Sequence, residues 1–493
     1  MATDWTLEEL QSWDARIRET AEGFGLNLRG QEFEICDQNQ MMGYMAYTGM
    51  PAHYPHWSFG KRFERQKTLH SYGLTGLPYE MVINSEPALA YLLRDNTLCQ
   101  QILTIAHVYG HNDFFNSNYH FLQIPTEVTV SRFKLRAERI RKYIEEPSIG
   151  LERVEEILDA AHALSLQISR NLGSPRLTRE EQEERALERA RPPWDPHSHI
   201  RKTDEVEEVD LNQVPLEPEE DLLLFIRDHN PYLEDWERDV LTIVHEQAVY
   251  FLPQIETKIM NEGWATYWHH RIMNAVGLPQ DLHMEFLVHH NQVIRRDPHG
   301  INPYHLGFIL WHEIRRKAAG EEGEPGAVDV ERVAETGPEP LAGEEELFQV
   351  READRDVSFL RRFLDEDLMR ALDLYEFEKK GEDLVASRVS DPDEWHQVKE
   401  TLLRQVGMAA VPVIRVHDAD LGRSGTLLLR HEHDGRDLEL QYARESLKHL
   451  HRLWGRKVLL ETEIDGKELE LSYDAEEGFE QKRSSQTEGS GVG

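Results

Sequence analysis

The sequence predicts a mainly helical protein, a helical metal-site domain with short strands followed by a small α+β C-terminal domain. Three observations carry that expectation. Apolar residues recur at helical spacing through most of the chain up to about residue 378. Beyond residue 379 the pattern changes to short β-like runs separated by two helices. The stretch HEQAVYFLPQIETKIMNEGWATYWHH, residues 245–270, sets His245, Glu246, Glu256, Glu262, His269 and His270 in apolar, aromatic surroundings. Unpaired ions are not tolerated there, so something must hold these groups, and a metal is the first candidate. The expected division is a core over 1–378, with surface excursions at about 192–220 and 319–347, a module over 379–475 and a disordered tail over 476–493.

Each element has its own signal. Thr6 with Glu9 three residues on reads as the capped start of an amphipathic helix over 5–24. The run YMAYTGMPAHYPHWSFGKRFERQ has no clean period and is expected to be irregular and to cover a site, with His53, His56 and His70 as mainly structural residues. Tyr79 to Asn84 reads as a short strand bearing Glu80 and Asn84, and Ser85 with Pro87 reads as the start of a helix. A helix over 97–115 and helical scaffold over 128–193 come next. Pro253 is expected to break the helix 233–251 and to open a second helix that reaches about Val276, where Gly277 and Pro279 stop it. Asn302-Pro303 sets a turn before a further helix. The C-terminal module reads as a helix at 393–406, strands near 412–417, 425–432 and 437–441, a helix at 442–454 and strands at 457–463 and 467–473. His433 to Arg436 marks a tight hairpin within it.

The chemistry lies in two half-motifs. His245-Glu246 matches the start of H-E-x-x-H, the helix on which two histidines bind zinc and the glutamate serves as base, but Val249 occupies the place of the second histidine. In TIAHVYGHNDFF, His107 and His111 are four apart, which puts both imidazoles on one helical face about 6 Å apart and lets them grip one ion. Asn112 and Asp113 are candidates for holding those imidazoles from behind. The acidic ligand is expected from NEGWA, as Glu262, whose neighbours Met260, Trp264, Tyr267 and Trp268 argue for burial. His269 stands two turns from Glu262, about 10 Å along the same face, too far to share its ion, and is a substrate-binding candidate. Glu80 and Asn84 join it, by analogy with strand edges that pair with extended substrates in metallopeptidases.

The segments HVYGHNDFF, HEQAVYFLPQIETKIMNEGWATYWH, NPYHLGF and LRHEHDGRDLEL resemble the stage V sporulation protein R (SpoVR) family, over about residues 5–465. The resemblance implies a cellular context, spore cortex formation or a stress and starvation response, rather than a reaction. It also implies two partners, a serine protein kinase and a von Willebrand-like protein.

Composition bounds the rest. At 493 residues with 39% hydrophobic and 30% charged, the chain has the makeup of a soluble protein, with no apolar window long enough to insert in a membrane and no signal-peptide core at the N-terminus, so the cytoplasm is the expected location. A net charge of −36 disfavours nucleic acid. With Cys36 and Cys99 alone, a disulfide framework and a cysteine-held zinc are excluded as organising devices. The favoured reading is a metal-dependent hydrolase with a zincin-like site, acting on a peptide or protein substrate in the manner of a metalloprotease or amidase, with zinc ahead of iron. His107, His111 and Glu262 are its ligands, His245 the fourth, and Glu246 the general base for the attacking water. Two alternatives stand beside it: a non-haem iron redox protein, from which the paired Glu-x-x-His repeats are missing, and a non-catalytic regulator that docks a kinase through its C-terminal module.

Overall fold

The computed structural model describes residues 4–72, 78, 80–173, 176–190, 210–297, 300–328, 339–374, 377–380, 383–386 and 394–483. The chain divides into two units, Met1–Arg141 with Leu252–Ala410, and Lys142–Phe251 with Val411–Gly493. That partition departs from the expected boundary at 378/379, because residues 142–251 pack with the C-terminal sheet. The expected excursion at 192–220 and the acidic loop at 319–347 lie partly outside the described residues.

In chain order the elements begin with α1 (Leu7–Gly23), β1 (Gln31–Cys36), α2 (Gln38–Ala46), α3 (Trp57–Ser71), β2 (Glu80–Ile83), β3 (Ala88–Leu93), α4 (Leu98–Phe115), α5 (Tyr119–Leu122) and α6 (Thr129–Glu145). Next come α7 (Gly150–Ala163), α8 (Arg179–Arg189), α9 (Leu222–His229), α10 (Asp235–Glu256), α11 (Lys258–Ala275), α12 (Gln280–Val293) and α13 (Pro303–Ala318). The remainder is α14 (Glu344–Ala353), α15 (Asp356–Phe363), α16 (Glu366–Ala371), the small hairpin β4 (Phe377–Lys380) and β5 (Asp383–Ala386), α17 (Glu394–Leu403), β6 (Ile414–Leu421), β7 (Thr426–His431), α18 (Leu440–Trp454), β8 (Val458–Ile464), β9 (Lys467–Asp474) and β10 (Gly478–Arg483). None of the helices among the described residues is long and apolar enough to cross a membrane.

The first unit is built on α11. Its residues 259–273 are buried on nearly every side, with Glu262 as the one partly exposed position. A helix so enclosed needs neighbours that come close, and glycine provides them. A Cβ on Gly110 of α4 would stand 2.6 Å from the Ala265 Cα, and one on Gly263 would collide with the backbone of Gly307 in α13. A Cβ on Gly307 would in turn meet the Ile259 carbonyl. Such contacts leave no room for any other residue. Around the crossings the core is aromatic, with Trp264, Trp268 and Trp311 fully buried. The two cysteines, Cys36 and Cys99, are free and buried, in keeping with the expected absence of a disulfide framework.

Several local expectations are met and others corrected. Thr6 caps α1 by accepting from the Glu9 N–H, and Thr97 with Gln100 forms a full capping box at the start of α4. Asn302 caps α13 with Pro303 in its first turn. The helix expected after Ser85 is instead strand β3, whose run ALAYLL is buried on both faces and lies between parallel β1 and antiparallel β2. Two-sided burial removes the alternation by which a strand is read. Pro253 does not break its helix: α10 runs through it to Glu256, and the break falls at Thr257. The exposed N-terminus of α11 is then satisfied by Asp356, whose carboxylate accepts from the Ile259 and Met260 N–H groups at 2.8 and 2.9 Å.

In the second unit the five strands run in the order β10-β9-β8-β7-β6, with only β7 and β8 parallel, joined through α18. Helix α18 buries Ala443, Leu447, Leu450, Leu453 and Trp454. The expected strand at 437–441 is absent, since α18 starts at Leu440, and His433 to Arg436 therefore links β7 to a helix rather than to a strand. The tail expected to be disordered from 476 forms β10 as far as Arg483, and residues 484–493 lie outside the described residues.

The helix crossings predict a sharp contrast between glycines. Gly307→Ala should cost on the order of 3 kcal/mol, because overpacking against backbone cannot relax by a rotamer change. Gly43→Ala, in α2 with nothing within 4 Å of a new Cβ, should gain up to about 1 kcal/mol from helix propensity. Urea unfolding of the two variants measures both.

Candidate metal centre

Helix α4 supplies two imidazoles, and the four-residue spacing puts them on one face as expected. The rings of His107 and His111 lie 4.6 Å apart at right angles. Glu262 of α11 faces them, with its Oε2 3.6 Å from His107 Nε2 and 3.5 Å from His111 Nε2. Glu80 on β2 closes the group, its Oε1 3.9 Å from His107 Nε2. One ligand atom each from Glu80, His107 and His111 lie within 4.8 Å of one another. Both histidines are buried, at 3% and 6% exposure.

The outward nitrogens are all engaged. His111 Nδ1 lies 2.9 Å from Asn261 Oδ1, an acceptor, so this nitrogen carries the proton and Nε2 presents a bare lone pair to the centre. His107 Nδ1 lies 2.9 Å from His269 Nδ1, and His269 Nε2 lies 2.8 Å from His290 Nδ1. Inward, by contrast, the buried atoms His107 Nε2 and Glu262 Oε2 have no hydrogen-bond partner. Burial lowers His111 to about 4, with the neighbouring His107 adding to the effect, so it is neutral near pH 7. Its lone pair therefore faces a carboxylate oxygen with no proton between them. Such an arrangement repels itself unless a cation sits in the middle. The residues fit a metal: two imidazoles and two carboxylates are the donors that borderline divalent ions take.

The two carboxylates are in opposite conditions. Burial raises the Glu80 carboxyl above its usual value; His107 opposes that in part, and the charge on Glu262 adds a lesser rise. Glu262 is also opposed by burial, but His107, His111 and Lys258 outweigh it and hold the group below its usual value. Tyr304, at the start of α13, stacks on His107 with centroids 5.9 Å apart. The Glu262 charge, then burial and Glu80, hold its phenol well above the usual range, so it remains a donor.

The structure thus brings together His107, His111, Glu262 and Glu80 from the residues expected by sequence. His269, expected to touch substrate, instead stands behind His107, fully buried, with a hydrogen bond at each ring nitrogen. Asn84 is buried at the end of β2, where its carbonyl accepts from Arg29. His245 and Glu246 fall in the second unit, and there His245 Nε2 bonds to Asp221 Oδ2 at 2.8 Å. Asn112 and Asp113, expected to hold the imidazoles, turn away from them. Asn112 accepts from the Arg29 N–H, while Asp113 takes both its oxygens to Arg351 at 2.6 and 2.7 Å and accepts from Trp264 Nε1. On a helix the residue one or two places after a histidine points about 100° or 200° away, so adjacency in sequence does not give contact. Sequence reasoning missed Asn261, His290 and Tyr304; the first stands beside Glu262 in NEGWA and the last comes directly after the Asn302-Pro303 cap, which is the only signal either gives.

Two buried histidines of α4, faced by Glu262 of α11 and Glu80 of β2, make up the candidate metal centre of a mainly helical protein. The chain belongs to the SpoVR family: residues 4–411 match the family described as "SpoVR like protein", and residues 412–465 match "SpoVR-like C-terminal domain". It is 33% identical over 491 residues to "Uncharacterized protein YcgB" of Escherichia coli (strain K12), covering 93% of this chain and 92% of that protein. No solved structure matches.

The neutral histidines carry a pH consequence. Burial holds His53, His111 and His290 each at about 4, against about 6.5 in an unfolded chain. The unfolded state binds protons between these values that the folded state does not, so stability is fully present above about pH 6.5 and is lost as pH falls toward 4. Calorimetry of the metal-free protein should show a melting temperature that drops between about pH 7 and about pH 5, with a net uptake of protons on unfolding near pH 5.

Proposed function

We propose that this protein is a metal-dependent hydrolase of peptide or amide bonds, with its centre at His107, His111, Glu262 and Glu80. The observation that carries this reading is the convergence of two buried imidazoles on one carboxylate, with Glu262 Oε2 3.6 Å from His107 Nε2 and 3.5 Å from the bare Nε2 of His111, and neither of these contacts a hydrogen bond. Two imidazoles and one carboxylate are the protein ligands that catalytic zinc uses while keeping a position open. When bound, the ion would polarise a substrate carbonyl and lower the pKa of water.

The chain's own residues supply the rest. His107 and His111 bind through Nε2, oriented from behind by His269 and Asn261. Glu262, held ionised, is the anionic ligand. Glu80 is the better base than Glu246, the residue favoured by motif alone: its raised pKa suits it to take a proton from water and return it to a leaving amine. Tyr304 keeps its proton and can donate to the oxygen that gains charge. The family's link to sporulation, or to stress and starvation, and the kinase and von Willebrand-like partners remain part of the proposal as its cellular setting.

Four variants and one elemental analysis test it. Protein purified without added metal should contain close to one transition metal ion per chain, zinc on this reading; less than about 0.2 equivalents, with no uptake on addition, sinks it. His107→Ala and His111→Ala should lose the ion. Glu80→Gln should keep it while turnover of a mixed peptide library, followed by mass spectrometry, falls by about 10²–10⁴. If Glu80→Gln loses the ion as well, Glu80 is a ligand and not the base; if Glu246→Gln alone abolishes turnover with metal retained, the base is Glu246. Iron at about two per chain, with an oxo-bridge absorption band, moves the reading to redox chemistry.

A further inference from the structure

Behind the ligand His107 stand two more imidazoles in series. His107 Nδ1, His269 Nδ1, His269 Nε2 and His290 Nδ1 form two hydrogen bonds of 2.9 and 2.8 Å, with His269 fully buried and His290 3% exposed. Each contact joins two ring nitrogens, so in each a single proton serves both. A neutral imidazole has one N–H, which means that fixing the proton on one ring fixes it on all three. Both rings are buried, and each of these contacts requires one of its two nitrogens to be without a proton.

Two arrangements satisfy this chain. In the first, His107 bears its proton on Nε2, where Glu262 Oε2 at 3.6 Å and Glu80 Oε1 at 3.9 Å attract it. His107 Nδ1 then accepts from His269 Nδ1–H, and His269 Nε2 accepts from His290 Nδ1–H. In the second, His107 Nε2 is bare. Its Nδ1–H donates to His269 Nδ1, His269 Nε2–H donates to His290 Nδ1, and His290 carries its proton on Nε2. Only the second offers a lone pair to an ion.

We infer that His290 is a positioning residue for the metal centre: by accepting a proton at Nδ1 it holds His269 and then His107 in the one tautomer that can ligate. The inference rests on the metal-centre reading above. On binding, the proton on His107 Nε2 leaves to solution and its lone pair forms the bond to the ion. His107 Nδ1 takes the proton of His269 Nδ1, His269 Nε2 takes that of His290 Nδ1, and His290 Nε2 takes one from water. One proton is released and one is taken up, and no ring changes charge. The ring of His290 is held for this task by Phe308 and by His270, whose centroids lie 5.1 and 4.6 Å from its own.

The test is zinc affinity by chelator competition for wild type, His290→Phe and His290→Asn, together with nitrogen-15 spectra of histidine-labelled wild type with and without zinc. His290→Phe keeps the ring but has no acceptor, and should weaken zinc binding about 10–100-fold, the usual effect of removing a group that orients a ligand. His290→Asn places an amide oxygen near the Nδ1 position and should bind within about threefold of wild type. In the spectra His290 should change from the Nδ1–H to the Nε2–H tautomer as zinc is added. The inference is overturned if His290→Phe binds zinc as wild type does, if the asparagine variant is as weak as the phenylalanine one, or if the His290 tautomer is the same in both states. Wild type that binds no zinc overturns the metal-centre reading as well, whereas wild type that binds it, with affinity indifferent to His290→Phe, removes this inference alone. Should His290→Phe fail to fold, the wild-type spectra decide.

Discussion

The centre depends on how closely α11 approaches the helices on either side of it. Imidazole and carboxylate side chains reach only a few ångströms from their backbones, so ligands on separate helices meet only if the helix axes come nearer than ordinary side chains permit. Gly110, Gly263 and Gly307 remove those side chains at the points of contact. The first lies between His107 and His111, and the second is next to Glu262. The third lies three residues beyond Tyr304. Each glycine therefore sits within one turn of the group it helps to place, and the same crossing that packs the core sets the distances in the site.

Such an approach has a cost, since it leaves polar groups on helices without solvent. The structure offsets it by pairing them sideways. Asp113 of α4 meets Arg351 of α14 and Trp264 of α11, Arg271 of α11 meets Glu344 of α14, and Asp356 closes the open end of α11. Buried pairs of this kind add little net stability but are expensive to break, so they fix which helices are neighbours rather than how tightly they hold. Among the buried polar atoms that lack a hydrogen-bond partner, His107 Nε2 and Glu262 Oε2 are two that face each other in the centre.

Much of this was legible in the sequence where the signal is local. The capped start of α1, the helices α4 and α13, the four-residue pairing of His107 with His111, and the acidic residue of NEGWA all come from signals along one segment. The expectations that failed depended on burial and on distant chain. Strand β3 is covered on both faces and so has no alternation to read, and the helix break falls at Thr257 rather than at Pro253, where the distant Asp356 accepts from the first N–H groups of α11. The partners behind the histidines were sought among their sequence neighbours and found instead on α11 and α12, as Asn261, His269 and His290. His245-Glu246 shows the opposite error: a two-residue match to a familiar motif, whose histidine is engaged by Asp221 in the second unit.

On the reading proposed above, the opposed states of Glu80 and Glu262 suit a catalytic rather than a storage site. Two carboxylates facing the same imidazoles would be expected to titrate alike if their only task were to neutralise an ion. Here the one on β2 has its pKa raised by burial and by its neighbour's charge, while the one on α11 is kept ionised by the imidazoles and Lys258. Environments that push two like groups apart assign them different work, one to hold charge and the other to exchange a proton. The backbone elements differ too: Glu262 stands on a helix buried on nearly every side, and Glu80 stands on the short edge strand of a three-stranded sheet.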